Sequence, residues 1–90
     1  LTLDERNAHL HFRLGEVYAR MKQYDGAARE FGEAVRLNPL LPAAYMEMGR
    51  LHLLRREPGK AIDAWEKALR LDPSNVSLRR ELEELYARVS

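Results

Sequence analysis

The sequence predicts an all-α fold of five helices, arranged as antiparallel pairs within one domain. Two observations predict it. The chain repeats itself at a spacing of 34 residues, and apolar side chains within each repeat recur every three or four residues, which is helical spacing. A strand would show alternating apolar and polar residues, and no segment has that pattern.

The repeat appears when the chain is shifted against itself by 34 residues. Identical residues then coincide at Gly15 and Gly49, Ala27 and Ala61, Ala34 and Ala68, Arg36 and Arg70, Leu37 and Leu71, and Pro39 and Pro73. A second shift places Leu10, Leu14 and Tyr18 over Leu78, Leu82 and Tyr86. We therefore divide the chain into a first repeat at 8–41, a second at 42–75 and a final helix at 76–90. Residues 1–7 are interpreted as the remnant of a preceding repeat or a tail.

The first repeat is predicted to hold two helices. The first covers 8–21, and the second covers 26–37 with Asp25 as its N-cap. The second helix ends where Asn38 precedes Pro39, because a residue before proline is pushed out of the α region.

The second repeat copies the first. Its helices are predicted at 42–56 and 60–71, and Pro42 suits a first helical turn. Asp72 precedes Pro73 as Asn38 precedes Pro39, so the helix ends there. A fifth helix is predicted over about 75–89.

These residues resemble the tetratricopeptide (TPR) repeat, whose length and pattern the chain shows twice in register. The pattern residues are His11, Leu14, Gly15, Tyr18, Ala27, Phe31 and Pro39, then Tyr45, Met48, Gly49, His52, Ala61, Trp65 and Pro73. The departures from the family pattern are His11, Tyr45 and His52, which affect packing detail. The resemblance implies a right-handed α-solenoid and a non-catalytic protein-interaction module that acts as a scaffold or adaptor.

Small residues are expected to set how closely the helices pack. At Gly15 and Gly49 the missing side chain lets the second helix of each pair approach, while Phe31 and Trp65 fill the space between pairs. The fifth helix has Glu83 at the corresponding place, and a carboxylate there could not be buried against a partner helix. We therefore expect it to be a capping helix with no sixth helix after it.

The resemblance also implies a partner groove on the concave face, lined by the first helix of each pair. The predicted groove residues are His9, Phe12, Glu16, Arg20, Met46, Arg50, Leu53, Arg80 and Glu84, with Leu54 and Arg88 beside them. Phe12, Met46 and Leu53 would form an exposed apolar row rimmed by arginines, as interaction sites often do. The alternative is that Phe12 and Met46 are ordinary packing residues.

One ligand class of the family is rejected here. Some members bind acidic C-terminal tails of heat-shock chaperones through a clamp of lysines, asparagines and an arginine. The matching positions hold Phe12, Glu16, Glu47, Ser77 and Glu81. Three of these are acidic and would repel a carboxylate.

Composition excludes several other functions. The net charge is +1, and acidic residues interrupt the basic pairs, so nucleic-acid binding is not predicted. There is no cysteine, and no apolar run is long enough for membrane insertion. His9 and His11 point to different helix faces, so they cannot share a metal ion. No motif indicates a cofactor or catalysis, and we predict that the chain is not an enzyme.

The N-terminal end is predicted to be open. Leu10 and Leu14 would pack against a helix that is mostly missing, so either the protein continues N-terminally or this end pairs with another copy. The second reading gives an alternative function, self-assembly. The first residue is Leu and arginine predominates over lysine, which favour a fragment of a longer, prokaryotic protein. The compartment is left open, with the cytoplasm favoured.

Overall fold

The computed structural model describes residues 2–89, which form five α-helices and no strand. The helices are α1 Leu3–Arg20, α2 Tyr24–Leu37, α3 Pro42–Leu54, α4 Pro58–Leu71 and α5 Val76–Val89. Helices α1 and α2 form one closely packed pair, α3 and α4 form the second, and α5 packs on α4. The prediction of an all-α fold of five helices is therefore confirmed for the described residues.

Helix α1 begins at Leu3 rather than at residue 8. Thr2 caps it, because the Glu5 backbone N–H donates to the Thr2 hydroxyl at 3.1 Å and the Glu5 carboxylate accepts in return. Residues 3–7 are thus the first turns of α1, and the expectation of a separate tail is wrong for them. Leu1 lies outside the described residues, and the division into repeats at 8–41 and 42–75 stays a prediction.

The turns inside the two pairs have the same geometry. Lys22 and Arg56, which lie 34 residues apart, both have a left-handed backbone, with φ of 60° and 61°. The next residue in each case returns its N–H to the preceding helix, at 2.9 Å from Gln23 to Tyr18 and at 2.8 Å from Glu57 to His52. Each second helix therefore begins earlier than predicted, at Tyr24 and Pro58.

The predicted cap at Asp25 is wrong. Gln23 is the N-cap of α2 and makes no side-chain capping bond, while Asp25 lies in the first turn. There its charge favours the helix N-terminus, and its carboxylate pairs with the guanidinium of Arg55 at the end of α3. This ion pair joins the two helix pairs.

Each helix pair is held by an aromatic ring seated on a glycine. A Cβ placed on Gly15 would lie 2.6 Å from Cε1 of Phe31, and one on Gly49 would lie 2.9 Å from Cε2 of Trp65 and closer still to its Nε1. Phe31 and Trp65 are buried, and Trp65 donates from Nε1 to the Met46 carbonyl at 3.0 Å. The predicted role of the two glycines is confirmed.

Two hydrophobic clusters run through the stack. The first joins α1, α2 and α3 through the buried residues Phe12, Ala27, Phe31, Ala34, Ala44 and Leu51, with Tyr18 and Met48 packed against them. The second joins α4 to α5 through Ala61, Trp65, Ala68, Leu78, Leu82 and Leu85. The opposite side of α5 carries Glu83, which is exposed as expected.

Three predicted packing residues do not pack. Pro39 and Pro73 are exposed, and they act by ending the preceding helices rather than by filling space. Leu14 is 46% exposed. Its counterpart Met48 is packed against the first cluster, whereas no helix of the described chain precedes α1 to cover Leu14.

We expect Gly49→Ala to lower the free energy of unfolding by about 1–3 kcal/mol, because the new methyl would overlap the hydrogen-bonded Trp65 ring. Gly32→Ala is the matched control. It too lies within a helix, but its Cβ would meet nothing within 4 Å, so improved helix propensity should stabilise the chain by up to about 1 kcal/mol. Urea unfolding measures both, and a stabilised Gly49→Ala variant would contradict the seating of the ring.

Candidate functional site

A groove of about 450 Å³ lies between α3 and α5. We call it the α3–α5 groove. The lining residues are Arg50, Leu53, Leu54, Trp65, Glu81, Glu84 and Arg88. Of the predicted groove residues, the structure therefore brings Arg50, Leu53 and Glu84 together, with Leu54 and Arg88 beside them.

Two lining residues were assigned other roles by the sequence. Trp65 was expected only to fill the core, yet its ring edge reaches the groove while its Nε1 is held by Met46. Glu81 was considered only as a clamp position. The signal for both was available, because residues on α5 spaced three or four apart from Glu84 share its face.

The groove combines an apolar floor with charges of both signs. Leu53 and Leu54 supply aliphatic surface, whereas Arg50 and Arg88 face Glu81 and Glu84 around it. Arg50 is also bound to the Glu47 carboxylate at 2.7 Å, which fixes its guanidinium on the α3 surface. The arrangement can bury an apolar side chain and orient the polar backbone or charged groups beside it.

The predicted apolar row of Phe12, Met46 and Leu53 is not formed. Phe12 is only 8% exposed, and its ring lies 5.8 Å from that of Phe31 within the first cluster. Met46 is half-buried against the second cluster, with its Sδ 3.5 Å from the Asn75 amide. Only Leu53 remains in the groove, so the packing alternative is right for Phe12 and Met46.

The other predicted groove residues lie outside the set that lines the α3–α5 groove. His9 and Arg20 are exposed on α1, and Arg80 is exposed on α5. Glu16 is half-buried and pairs with Arg13 at 3.1 Å, rather than with Arg20 as helical spacing suggested. These residues present a polar surface on the same side of the helix pairs without forming a recess of their own.

Two of the three histidines are tied into local pairs. His11 Nδ1 lies 2.6 Å from the Glu30 carboxylate, and His52 Nδ1 lies 3.1 Å from that of Glu57. The hydrogen bond from His52, followed by that from Lys60, lowers the pKa of Glu57. Within residues 2–89 no three His, Asp or Glu side chains converge as a metal ion requires.

A second cavity, of about 580 Å³, was not foreseen from the sequence. It lies at the turn between α1 and α2, and its walls are Tyr18, Lys22, Gln23, Tyr24, Asp25, Gly26, Arg29 and Arg55. Gly26, interpreted as a turn residue, is in fact buried in α2 against the Tyr18 ring. The left-handed residue Lys22 opens this cavity, and nothing in the sequence pattern marks a non-glycine residue for that conformation.

The outer face of α1 is apolar and exposed. Leu3, Leu10, Leu14, Val17 and Met21 follow one another along it, with exposures between 46% and 72%. We call this row the α1 stripe. As for other apolar surfaces, no helix among residues 2–89 is long and apolar enough to span a membrane.

The stacked helix pairs and the groove beside them define a helical-repeat protein of a kind that suggests a protein–protein interaction scaffold. A family model described as tetratricopeptide repeat matches residues 12–76. The chain therefore belongs to the tetratricopeptide repeat family, whose members are generally non-catalytic interaction modules.

Relatives and solved structures agree with this assignment. The chain is 31% identical over 84 residues to the BBSome complex member BBS4 of Mus musculus, covering 93% of this chain and 16% of that protein. It is 28% identical over 80 residues to the heat shock protein STI1 of Saccharomyces cerevisiae, covering 89% and 14%. The chain thus spans a small part of the curated relatives it matches.

Two solved structures have the same fold. The first TPR of Spaghetti (RPAP3), bound to the HSP90 peptide SRMEEVD, superposes with a TM-score of 0.85 at 25% identity, covering 92% of this chain and 66% of that one. The MamA protein superposes with a TM-score of 0.86 at 25% identity, covering 94% and 46%. These similarities confirm the helical repeat solenoid.

We expect Phe12→Ala to lower the free energy of unfolding by about 3 kcal/mol, because it empties a buried site between two helix pairs. Leu10→Ala is the control on the same helix, where a 62% exposed side chain should cost less than about 0.5 kcal/mol. Urea unfolding of both variants tests the assignment. Equal losses at the two positions would restore Phe12 to the surface.

Proposed function

We propose that the chain is a non-catalytic module that binds a peptide or short helix of a partner protein in the α3–α5 groove. The observation that carries the proposal is the placement of Leu53, Leu54 and the Trp65 edge between two arginines and two glutamates. A ligand side chain would be buried on the apolar floor. The charged rim would select its flanking residues and direction.

The size of the groove sets the kind of ligand. About 450 Å³ falls within the range of roughly 300–1,000 Å³ that is common for ligand pockets. It holds a few side chains of a short segment rather than a whole domain surface. A single peptide in such a groove is expected to bind with an affinity of about 1 μM, because contact must offset the ordering of the peptide.

The floor of the groove is rigid, which favours recognition. Trp65 is fixed from one side by Gly49 and from the other by its bond to the Met46 carbonyl. Leu53 packs against the same cluster as Trp65. A ligand therefore meets a preformed surface, and less free energy is lost to ordering the protein.

Relatives support protein partners in general terms. BBS4 is a member of a protein complex, and the Spaghetti TPR was solved with a bound peptide. Which protein this chain binds, and whether it serves as scaffold or adaptor within a longer polypeptide, is part of the proposal.

Chaperone tails are excluded from the proposed ligands. Phe12 is buried and so cannot act as a clamp residue, and Glu47 is paired with Arg50. Glu16, Glu81 and Ser77 complete the five positions, and none of them carries positive charge. A tail with several carboxylates would meet glutamates where a clamp needs cations.

Self-assembly through the N-terminal end is the second candidate. The exposed α1 stripe supports an interface at that end. The charges beside the stripe, however, give no pairing between two copies, so we keep peptide binding in the groove as the proposed function.

Peptides selected from a random displayed library against the chain should lose at least about tenfold in affinity for the variant Arg50→Glu/Leu54→Ser, since it removes one anchor of each kind. The matched control is Arg29→Glu/Leu40→Ser, which makes the same changes at exposed positions away from the groove. Fluorescence anisotropy measures affinity, and circular dichroism checks helicity. Peptides that bind both variants equally well would refute groove binding.

The peptide SRMEEVD itself should not bind. Titrating the labelled peptide with the chain at concentrations up to about 100 μM should leave its anisotropy unchanged, because the clamp positions are acidic or buried. A chaperone-binding TPR domain serves as the positive control. Saturable binding in the low micromolar range would contradict the exclusion.

A further inference from the structure

The α1 stripe has the spacing of a helix-packing seam. Leu3, Leu10, Leu14, Val17 and Met21 are separated by alternating steps of seven, four, three and four residues, and Asn7 occupies the remaining seam position. All five apolar side chains are exposed over a helix of 18 residues, which is about 27 Å long. Such a length and spacing match the side of another α-helix better than they match an extended peptide.

One edge of the stripe is uniformly positive. Arg6, Arg13 and Arg20 recur every seven residues beside Leu3, Leu10 and Val17, and all three are exposed. Arg13 contacts Glu16, but its side chain is 63% exposed, and such surface pairs are weak. The three guanidinium groups therefore form a row that can meet carboxylates on a docked helix.

The other edge of the stripe carries little charge. Beyond Asp4 at its start, the edge is formed by His11, which is bound to Glu30, and by Tyr18, which packs on the first cluster. The stripe is thus an apolar seam with one basic edge and one edge whose side chains are already engaged.

We propose that the α1 stripe docks an amphipathic helix of a partner protein, with apolar residues in heptad spacing and acidic residues along the edge that faces Arg6, Arg13 and Arg20. The apolar seam supplies the contact area, and the arginine row selects an acidic partner and its register. This surface is separate from the α3–α5 groove, and the proposal does not rest on the function proposed for that groove.

Charge pairing argues against a second copy of this chain as the occupant. If two α1 helices packed antiparallel, the arginine row of one would face the arginine row of the other. If they packed parallel, the row would face His11 and Tyr18 of the other copy, which offer no free carboxylate. Neither arrangement neutralises the arginines, whereas a helix with an acidic edge does.

The test uses two synthetic helical peptides as probes. Both carry leucine at the seam positions, and they differ only in having glutamate or lysine at both edges of the seam. With the full chain, the glutamate peptide should bind about tenfold or more tightly than the lysine peptide, as measured by fluorescence anisotropy, because it forms up to three ion pairs.

Variants then locate the site. Arg6→Glu/Arg20→Glu should reverse the preference between the peptides, while the matched control Arg29→Glu/Arg70→Glu should leave it unchanged, since those exposed arginines lie on α2 and α4. Leu10→Ser/Val17→Ser should abolish binding without loss of helicity by circular dichroism, because both side chains are exposed. The groove variant Arg50→Glu/Leu54→Ser should bind the glutamate peptide normally.

Four results would overturn the proposal. They are equal affinity for the two peptides, loss of binding in the groove variant, a dimer in sedimentation that Leu10→Ser/Val17→Ser dissociates, and binding to phosphatidylserine-containing vesicles that requires Arg6 and Arg20. The third would assign the stripe to a second copy, and the fourth would assign it to a membrane surface. Loss of groove binding with retained stripe binding would refute only the proposed function.

Discussion

The seating of an aromatic ring on a glycine is the contact on which the rest of the structure depends. Phe31 rests on Gly15 and Trp65 rests on Gly49, so each helix pair closes to a distance that any side chain would prevent. Because the pairs close in the same way and their turns share one left-handed geometry, they stack as equivalent units. Trp65 also forms part of the floor of the α3–α5 groove, so the same contact that fixes the fold fixes the proposed site.

The repeat made the fold predictable. Matching residues at 34-residue spacing give the helix count and pairing, and the proline stops give the ends of α2 and α4 correctly. The starts were less well predicted. Thr2 was not recognised as a cap, and Lys22 and Arg56 adopt a left-handed conformation that sequence patterns assign to glycine. Both features extend helices by satisfying backbone groups at their termini.

The candidate site was only partly predictable, because periodicity shows which residues share a helix face but not which face is covered. Phe12 and Leu14 lie two residues apart on α1, and their predicted roles were reversed. Phe12 is covered by the second helix pair's approach to the first, whereas Leu14 faces the end of the stack. The groove residues Arg50, Leu53 and Glu84 were predicted correctly because α3 and α5 are flanked as family repeats are. The molecule thus offers two surfaces, a small mixed-charge groove and a long apolar seam with a basic edge.

The most direct measurement of the central contact is the proton NMR spectrum of the folded chain. If the Trp65 ring rests on Gly49 and the Phe31 ring on Gly15, the Hα resonances of both glycines should be displaced far upfield by the rings. Cross-relaxation should connect Gly49 Hα to the Trp65 indole protons. Hα shifts near those of an ordinary helical glycine, without such cross-peaks, would contradict the seating of the rings and with it the account of how the pairs stack.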